Sequence, residues 1–512
     1  MGYYPNTAPD LAINDLSITE LVFAGLENRP DEIVLTDGVT GDSMTALDFM
    51  QRVKALAGGL TAKGFGKGHT VALMAPNSPE FCVVFHAVAL AGGTITTINP
   101  AYTENEINHQ LNDSGAEMLI TVPAFLAVAQ NGAAGTGTLE IAVIGSADGA
   151  PSIRDFYGSP IAHQVPVDLD THSVALPYSS GTTGLPKGVK LSHRNLVVNV
   201  DQTAAGAGFR TGEVAAAFLP FFHIYGMNVL MNMHLAGGGA LVTMPRFDLD
   251  MFLRICQDRK SRRMWIVPPV ALALAKHPMI DDFDLSSIDQ IFSGAAPMGA
   301  ELSDAVSSRL NCAMLQGFGM TELAPVSHAT PLHGPRSGSS GLALPNTQCR
   351  IVDPDTGNDL PANQEGELWI KGPQVMIGYL NNEKATHETI TQDGWLKTGD
   401  IAKIDIDGYM FIVDRLKELI KFKGFQVAPA ELEALLTSHP SITDAAVIGI
   451  PDEEAGELPV AFVVTMKPAP SEDDIKDFVM RNLAHYKQIH KVTFVTDIPK
   501  SASGKILRRL LR

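Results

Sequence analysis

Across residues 68–121 short apolar runs alternate with longer helical ones, and this rhythm constrains the fold more than any other feature of the sequence. Residues 71–74 read as a strand, 78–91 as a buried helix rich in Val, Phe and Ala, and 94–98 as a second strand. A helix over 104–112 and a third strand over 117–121 follow. Strands that alternate with helices need crossover connections, so they indicate βαβ units and a largely parallel sheet. The same rhythm returns over 214–244 and over 264–315. A Gly/Ser-rich passage at 333–341 then precedes a different texture. Over 348–413 short strands, among them 366–372 and 409–414, are separated by turn residues, as in a small β-barrel or meander. Beyond Asp414, residues 430–436 place Leu432, Leu435 and Leu436 on one helical face behind Pro429, a residue suited to the first helical turn. Strands at 445–450 and 460–465, a helix over 473–483 and a strand at 492–495 complete a compact α+β unit. The expected fold class is α/β: a large N-terminal region of parallel-rich βα layers with a small β-barrel subdomain, followed by a small α+β C-terminal domain.

With 512 residues and 45% hydrophobic side chains the chain can bury a large core, and its length predicts two or more domains. A formal net charge of -18 argues against a general nucleic-acid surface, because phosphate backbones need Lys and Arg clustered over a wide face. Any polyanionic ligand must therefore meet a local basic site. The four cysteines, Cys82, Cys256, Cys312 and Cys349, form no CxxC pair. They suggest neither a disulfide framework nor a zinc ribbon, and a reducing cytosol fits. The N-terminus lacks a basic-then-apolar pattern, no apolar run reaches the roughly 18 residues of a membrane span, and the terminal RRLLR is not a peroxisomal address of the SKL type. The expectation is a cytoplasmic protein without a membrane span, a monomer or weak homodimer that binds no nucleic acid.

The string YSSGTTGLPKGV at 178–189 follows directly on the apolar stretch 174–176. It gathers glycines, Ser and Thr hydroxyls and one lysine. Glycines let backbone N–H groups approach a phosphate, the hydroxyls of Ser179, Ser180, Thr182 and Thr183 donate further bonds, and Lys187 supplies countercharge. It is not a Walker A loop, because the G-x-x-x-x-G-K-[ST] spacing is absent and Gly188 follows the lysine. A plain polar turn between strands is the competing reading for such a loop.

The full string SSGTTGLPKGV resembles the signature of the adenylate-forming superfamily of acyl-CoA synthetases, adenylation domains and beetle luciferases, and matches the 4-coumarate:CoA ligase branch. Further strings agree in order: PFFHIYG (220–226), SGAAP (293–297), QGFGMTE (316–322), GELWIKG (366–372), GWLKTGD (394–400), DRLKELIKFKGFQVAPAELE (414–433) and SASGKILRR (501–509). The similarity spans roughly residues 20–512. It implies an N-terminal AMP-binding domain over 1–416 and a mobile C-terminal domain over 417–512 that carries a catalytic lysine. ATP, Mg²⁺ and coenzyme A are the implied cofactor and co-substrates, and a small carboxylic acid the implied substrate.

Joining a carboxylate to ATP brings two anions together, so the site must supply cationic and N–H donor groups. By resemblance Lys505 contacts the acid and the α-phosphate, while Asp400 and Arg415 hold the ribose. Ser179, Ser180, Gly181, Thr182, Thr183, Gly184 and Lys187 cradle phosphate. Thr321 touches the α-phosphate, and Glu322 with Thr183 holds Mg²⁺. Gly294 and Ala295 border the adenine, with Gln316 and Gly317 counted among the nucleotide contacts. His223 gates the acyl pocket and orients the carboxylate. Tyr225, Asn228 and Val229 line one wall of that pocket, and Gly317, Gly319, Pro325 and Val326 the other. For thioester formation the resemblance makes Lys417 the hinge, Lys421 and Gln426 catalytic, Lys423 and Gly424 part of the pantetheine tunnel, and Arg246 a contact for the CoA phosphates.

HIY followed by Asn228 favours an aromatic propenoic acid, a cinnamate or hydroxycinnamate. Phe292 departs from the lysine common in plant members, and Leu323-Ala324 replaces the usual Ala-Gly. A less hydroxylated cinnamate, another aryl acid or a medium-chain fatty acid remains an alternative. A luciferase-type monooxygenase is a further one, with HIY standing where a polar HHG-type pocket is expected.

Overall fold

The computed structural model describes residues 3–4, 8–179, 186–296, 298–423, 425–452, 455–501 and 504–511. The expected rhythm produces a seven-stranded sheet among these residues, in the order Gly378–Tyr379, Lys187–Ser192, Ser173–Ser179, Thr94–Thr97, Thr70–Met74, Ala116–Thr121 and Glu140–Val143. The last five strands run parallel. Lys187–Ser192 then folds back antiparallel on Ser173–Ser179.

The helices start where local chemistry allows. Pro79–Leu90 begins with Pro at its first turn, and the Ser78 side chain accepts from the N–H of Phe81. It is buried almost all round because it packs between the seven-stranded sheet and the helices Ala46–Ala62 and Ile18–Leu26, with the strand Ile33–Asp37 of a second sheet beside it. Glu104–Ser114 opens on a capping box of Thr103 and Glu106 and closes on Gly115 at φ 62°, a left-handed cap that glycine adopts without a Cβ penalty. A second parallel layer, Arg263–Ile266, Gln290–Ser293 and Ala313–Gly319, continues antiparallel into Val326–Ala329. No helix among the described residues is long and apolar enough to cross a membrane.

The segment expected to form a small β-barrel does not close. Gln348–Val352, Gly366–Lys371, Leu396–Ile404 and Met410–Arg415 form an antiparallel meander, extended at its edge by Tyr3–Tyr4. The reason is packing. Ile351, Leu368, Ile370, Leu396, Ala402, Ile404 and Met410 all join the main hydrophobic core, so the sheet covers its apolar face with its neighbours and has no need to curl on itself.

Residues beyond Leu419 build a core of their own from Ile420, Val427, Leu432, Leu436, Val447, Val463, Ile475 and Val479, among others. The helix Pro429–Ser438 buries Leu432 and Leu436, with Leu435 packed partly against the same core. Its N-cap, Ala428, has no capping side chain, and Asp414 accepts from the N–H of Ala430 at 2.8 Å instead. Lys417 lies on the exposed turn between these two bodies.

Candidate functional site

The strands Leu396–Ile404 and Met410–Arg415 pair with Asp400 directly opposite Arg415. Arg415 Nε meets Asp400 Oδ1 at 2.7 Å. Asp400 is only 3% exposed, and its other oxygen, Oδ2, is buried with no hydrogen-bond partner among the described residues. Burial pushes the carboxyl up to about 6, against the pull of Arg415 and Lys505. A buried acceptor left open beside a fixed guanidinium is suited to a ligand hydroxyl, because native folds seldom leave such an atom unsatisfied.

Lys505 reaches the same place from the other end of the chain. Its backbone is held in a turn in which Ser501 N–H donates to Lys505 O at 2.8 Å and Lys505 N–H to Ser501 Oγ at 3.1 Å. Gly504, at φ 83°, faces Val267 and Pro269, where a Cβ would lie 3.5 Å from the nearest Val267 carbon. The terminal turn thus rests on the N-terminal region. Burial and the Arg415 guanidinium push the Lys505 ammonium down, while Asp400, Glu322 and Glu418 oppose them. His223 is pushed down to about 3 by burial and by the charge of Lys505. Its Nδ1 accepts from Tyr225 N–H at 3.3 Å. The ring is therefore neutral with its proton on Nε2, a donor for an anionic oxygen.

Tyr225, Asn228 and Val229 share a π-helical segment, Tyr225–Asn232. Such segments are rare and recur at functional sites. The Tyr225 ring lies against Gly294, where a Cβ would approach it to 3.0 Å, and its hydroxyl sits 3.5 Å from the carbonyls of Ile266 and Phe292. Burial pushes that phenol up, so it stays protonated. Gly317 is likewise needed small, since a Cβ there would fall 2.7 Å from the Phe292 ring. Gly319 allows close approach to Pro325, whose carbonyl oxygen would be 2.5 Å from a Cβ, with Val326 next to it. Asn228 serves the wall from behind: its amide donates to Ala324 O at 2.7 Å and Leu196 O at 3.2 Å, and its oxygen accepts from Asn232. Gln316 bonds through both ends of its amide to the Met298 backbone at 3.2 Å, which shapes the chain there. Ala295 adopts φ 72°, a left-handed conformation uncommon for a side chain with a Cβ.

Glu322 is 5% exposed, on the turn Thr321–Leu323 that also buries Thr321. Tyr379 donates to Glu322 Oε1 at 2.8 Å, and Lys187 Nζ sits 4.3 Å from the centroid of the Tyr379 ring. Among the described residues no group of three or more His, Cys, Asp or Glu side chains could cage a metal. A single carboxylate still suits a hard cation that arrives with phosphate oxygens and keeps its waters.

Ser180, Gly181, Thr182, Thr183 and Gly184 lie outside the described residues, as do Gly424 and the side chain of Gln426. Ser179 ends its strand at one edge of that stretch. Lys421, Lys423 and Arg246 are all exposed. The Lys421 N–H donates to Glu457 and that of Lys423 to Ala455 O. The structure therefore assembles Lys505, Asp400, Arg415, Glu322 and His223, and leaves the basic residues expected near CoA facing solvent.

Two groups escaped the reading of the sequence. Tyr379 sits in GYLN, where a tyrosine reads as one more strand residue. Arg508 donates to both oxygens of Glu433, at 2.7 and 2.8 Å, and to Val447 O at 3.2 Å, and also pairs with Glu418. Burial pushes Glu433 up to about 7 against the pull of Arg508. Acidic residues in PAELE and basic ones in SGKILRR were visible, but more than seventy positions of chain separate them.

Residues 22–380 match the AMP-binding enzyme family and residues 431–505 the AMP-binding enzyme C-terminal domain. The chain is 45% identical to 4-coumarate–CoA ligase 5 of Oryza sativa subsp. japonica, over 98% of this chain and 96% of that one. In three dimensions it is similar to the anthranilate CoA ligase AuaEII in complex with anthranoyl-AMP, with a TM-score of 0.91 and 26% identity over 98% and 97% of the two chains. It is also similar to MatB from Rhodopseudomonas palustris, at 30% identity over 97% and 98% of the chains. There the TM-score is 0.89 for the ATP-bound form and 0.79 for the apo form.

Proposed function

The chain belongs to the AMP-binding enzyme family, and from that membership we propose that it is an ATP-dependent acid:CoA ligase acting on a cinnamic or hydroxycinnamic acid. The observation that carries the reading is the convergence of Lys505, Asp400, Arg415 and Glu322 beside a neutral His223. In the first half-reaction a carboxylate oxygen attacks the α-phosphorus of ATP, the bond to the bridging oxygen breaks, and pyrophosphate leaves. Lys505 lies between the anions and lowers their repulsion, which is electrostatic stabilisation where charge concentrates. His223 Nε2–H orients the acid. Asp400 Oδ2 takes a ribose hydroxyl while Arg415 holds its partner oxygen in place. Glu322 and Thr183 would hold Mg²⁺, which when bound neutralises charge on the phosphates.

In the second half-reaction the thiolate of CoA attacks the acyl carbonyl, the bond to AMP breaks, and AMP leaves. Orientation then supplies much of the rate. The domain beyond residue 416 turns about Lys417, withdraws Lys505 and brings Lys421, Lys423, Gly424 and Gln426 to the adenylate, with Arg246 near the CoA phosphates. The exposure of Lys421 and Lys423 beside a docked Lys505 supports this order of events, as does the greater likeness to ATP-bound than to apo MatB. The reading places the enzyme in the cytoplasm as a monomer or weak homodimer, and four buried, unpaired cysteines suit such a reducing compartment.

The acid is argued from shape. The Tyr225 ring lies against Gly294 and the Phe292 ring edge against Gly317, so the wall these residues build is apolar and aromatic. A cinnamate with few ring hydroxyls fits best. Thioester formation with ATP, Mg²⁺ and CoA across cinnamate, 4-coumarate, benzoate and octanoate tests this. Turnover of octanoate alone would remove the aromatic reading, and absence of thioester with every acid would remove the ligase.

A further inference from the structure

Tyr379 stands where three parts of the site meet. The short strand Gly378–Tyr379 anneals to the strand that leaves the phosphate loop, with Gly378 opposite Lys190 and Tyr379 opposite Val189. Leu380 N–H donates to Gly188 O at 2.8 Å, and Tyr379 N–H donates to Thr386 Oγ1 at 2.9 Å. These bonds fix the backbone on both sides of the ring. The side chain is 6% exposed, and besides a hydrogen bond with Thr389 it meets two groups of opposite charge. Its hydroxyl donates to Glu322 Oε1 at 2.8 Å, and its ring face carries the Lys187 ammonium at 4.3 Å.

A buried carboxylate and a lysine that share one side chain as a partner would ordinarily be drawn to each other. Here each meets Tyr379 instead, the carboxylate at its hydroxyl and the ammonium at its ring face. The phenol accounts for that: it offers the carboxylate a donor and the cation a negative ring face, so each charge is satisfied without the other. Burial and Glu322 both push the phenol up, which keeps it protonated and able to donate.

We infer that Tyr379 is a positioning residue that holds the carboxylate of Glu322 and the ammonium of Lys187 apart, leaving the first aimed at a divalent cation and the second at the phosphates of an incoming nucleotide. This rests on the reading of Glu322 as the metal carboxylate of an adenylating enzyme. Tyr379→Phe keeps the ring face and deletes the donor, so Glu322 is free to turn toward Lys187 and the divalent cation meets a collapsed pair. Tyr379→Leu removes both supports.

The readout is binding, not turnover. Mn²⁺ affinity is measured by electron paramagnetic resonance with the full-length protein and ATP, without acid. Tyr379→Phe should weaken Mn²⁺ by about tenfold, as loss of a hydrogen bond to a charged group implies, and Tyr379→Leu should also weaken ATP itself. Thioester formation from supplied acyl-AMP and CoA, which uses neither group, should stay near wild type and certifies the fold of each variant. A double-mutant cycle with Glu322→Gln separates positioning from packing: on that background Tyr379→Phe should cost nothing further. Wild-type Mn²⁺ affinity in Tyr379→Phe, or equal losses with and without the Glu322 carboxylate, would overturn the inference while leaving the ligase reading intact. Failure of the wild-type protein to bind ATP with Mn²⁺ would instead overturn the parent reading and this one with it.

Discussion

Arg508 lies three residues beyond Lys505, and its removal should separate the two halves of the reaction. It pairs with Glu433 at 2.7 and 2.8 Å, with Val447 O at 3.2 Å and with Glu418, which ties the terminal turn to the helix Pro429–Ser438 and to the turn at Lys417. Removing one member of a buried ion pair costs about 3–5 kcal/mol, because the remaining charge is stranded. Two features lower that figure here. The Arg508 and Glu433 side chains keep 15% and 12% exposure, and Glu433, already pushed up to about 7, can take a proton once its cation is gone. Arg508→Met is therefore expected to loosen the tail by about 2–3 kcal/mol at pH 8, and by clearly less at pH 6. The sign follows from proton binding. A carboxyl raised above its ordinary 4.5 binds its proton more tightly folded than unfolded, so its contribution to stability is present at low pH and is lost as pH rises through about 7. Without Arg508 that window moves higher still. If docking of the tail limits adenylation, 2–3 kcal/mol corresponds to a loss of about 30- to 150-fold. Acid-dependent exchange of pyrophosphate into ATP, measured relative to wild type at both pH values beside thioester formation from supplied acyl-AMP, reads this directly. A deficit independent of pH, or shared equally by both half-reactions, would mean that the Arg508–Glu433 pair does not hold the tail in its adenylating position.

Two further outcomes follow from the same geometry. Asp400, raised to about 6 by burial, accepts more strongly from a ribose when ionised, so ATP affinity measured by calorimetry should fall as pH drops through about 6, and Asp400→Asn should abolish that dependence. Phe292→Leu should free the space beside Gly317 and raise kcat/KM for 4-coumarate relative to cinnamate by about 10-fold, the worth of a small change in pocket fit; an unchanged ratio would show that the ring substituents point elsewhere.

The parallel layers were legible because strand and helix periods differ. The helix starts read at 78 and 104 lie within a residue of the observed ones, which Ser78-Pro79 and the Thr103/Glu106 box cap. The barrel was misread because alternation reports one apolar face and not what covers it. Ile351, Leu368 and Ile404 would look the same in a closed barrel as against the main core. At the site, Asp400 and Arg415 lie fifteen positions apart, and only the register of their strands makes them neighbours. The proximity of Lys505 to them depends on how the C-terminal body docks, which no local pattern encodes. Tyr379 stayed hidden because its function lies in two contacts across the fold, made by a residue type that strands favour anyway. Gln316 is a motif position that also serves the fold, its side chain bonded at both ends to the backbone of Met298.

In the proposed mechanism Lys505 serves adenylation and leaves before the thioester forms. Lys505→Ala can be assayed for acyl-AMP formation from acid and ATP and separately for thioester formation from supplied acyl-AMP and CoA. The first activity should fall by about 100-fold or more, as expected for a cation placed on transition-state charge, with the second near wild type. Equal loss of both would contradict it.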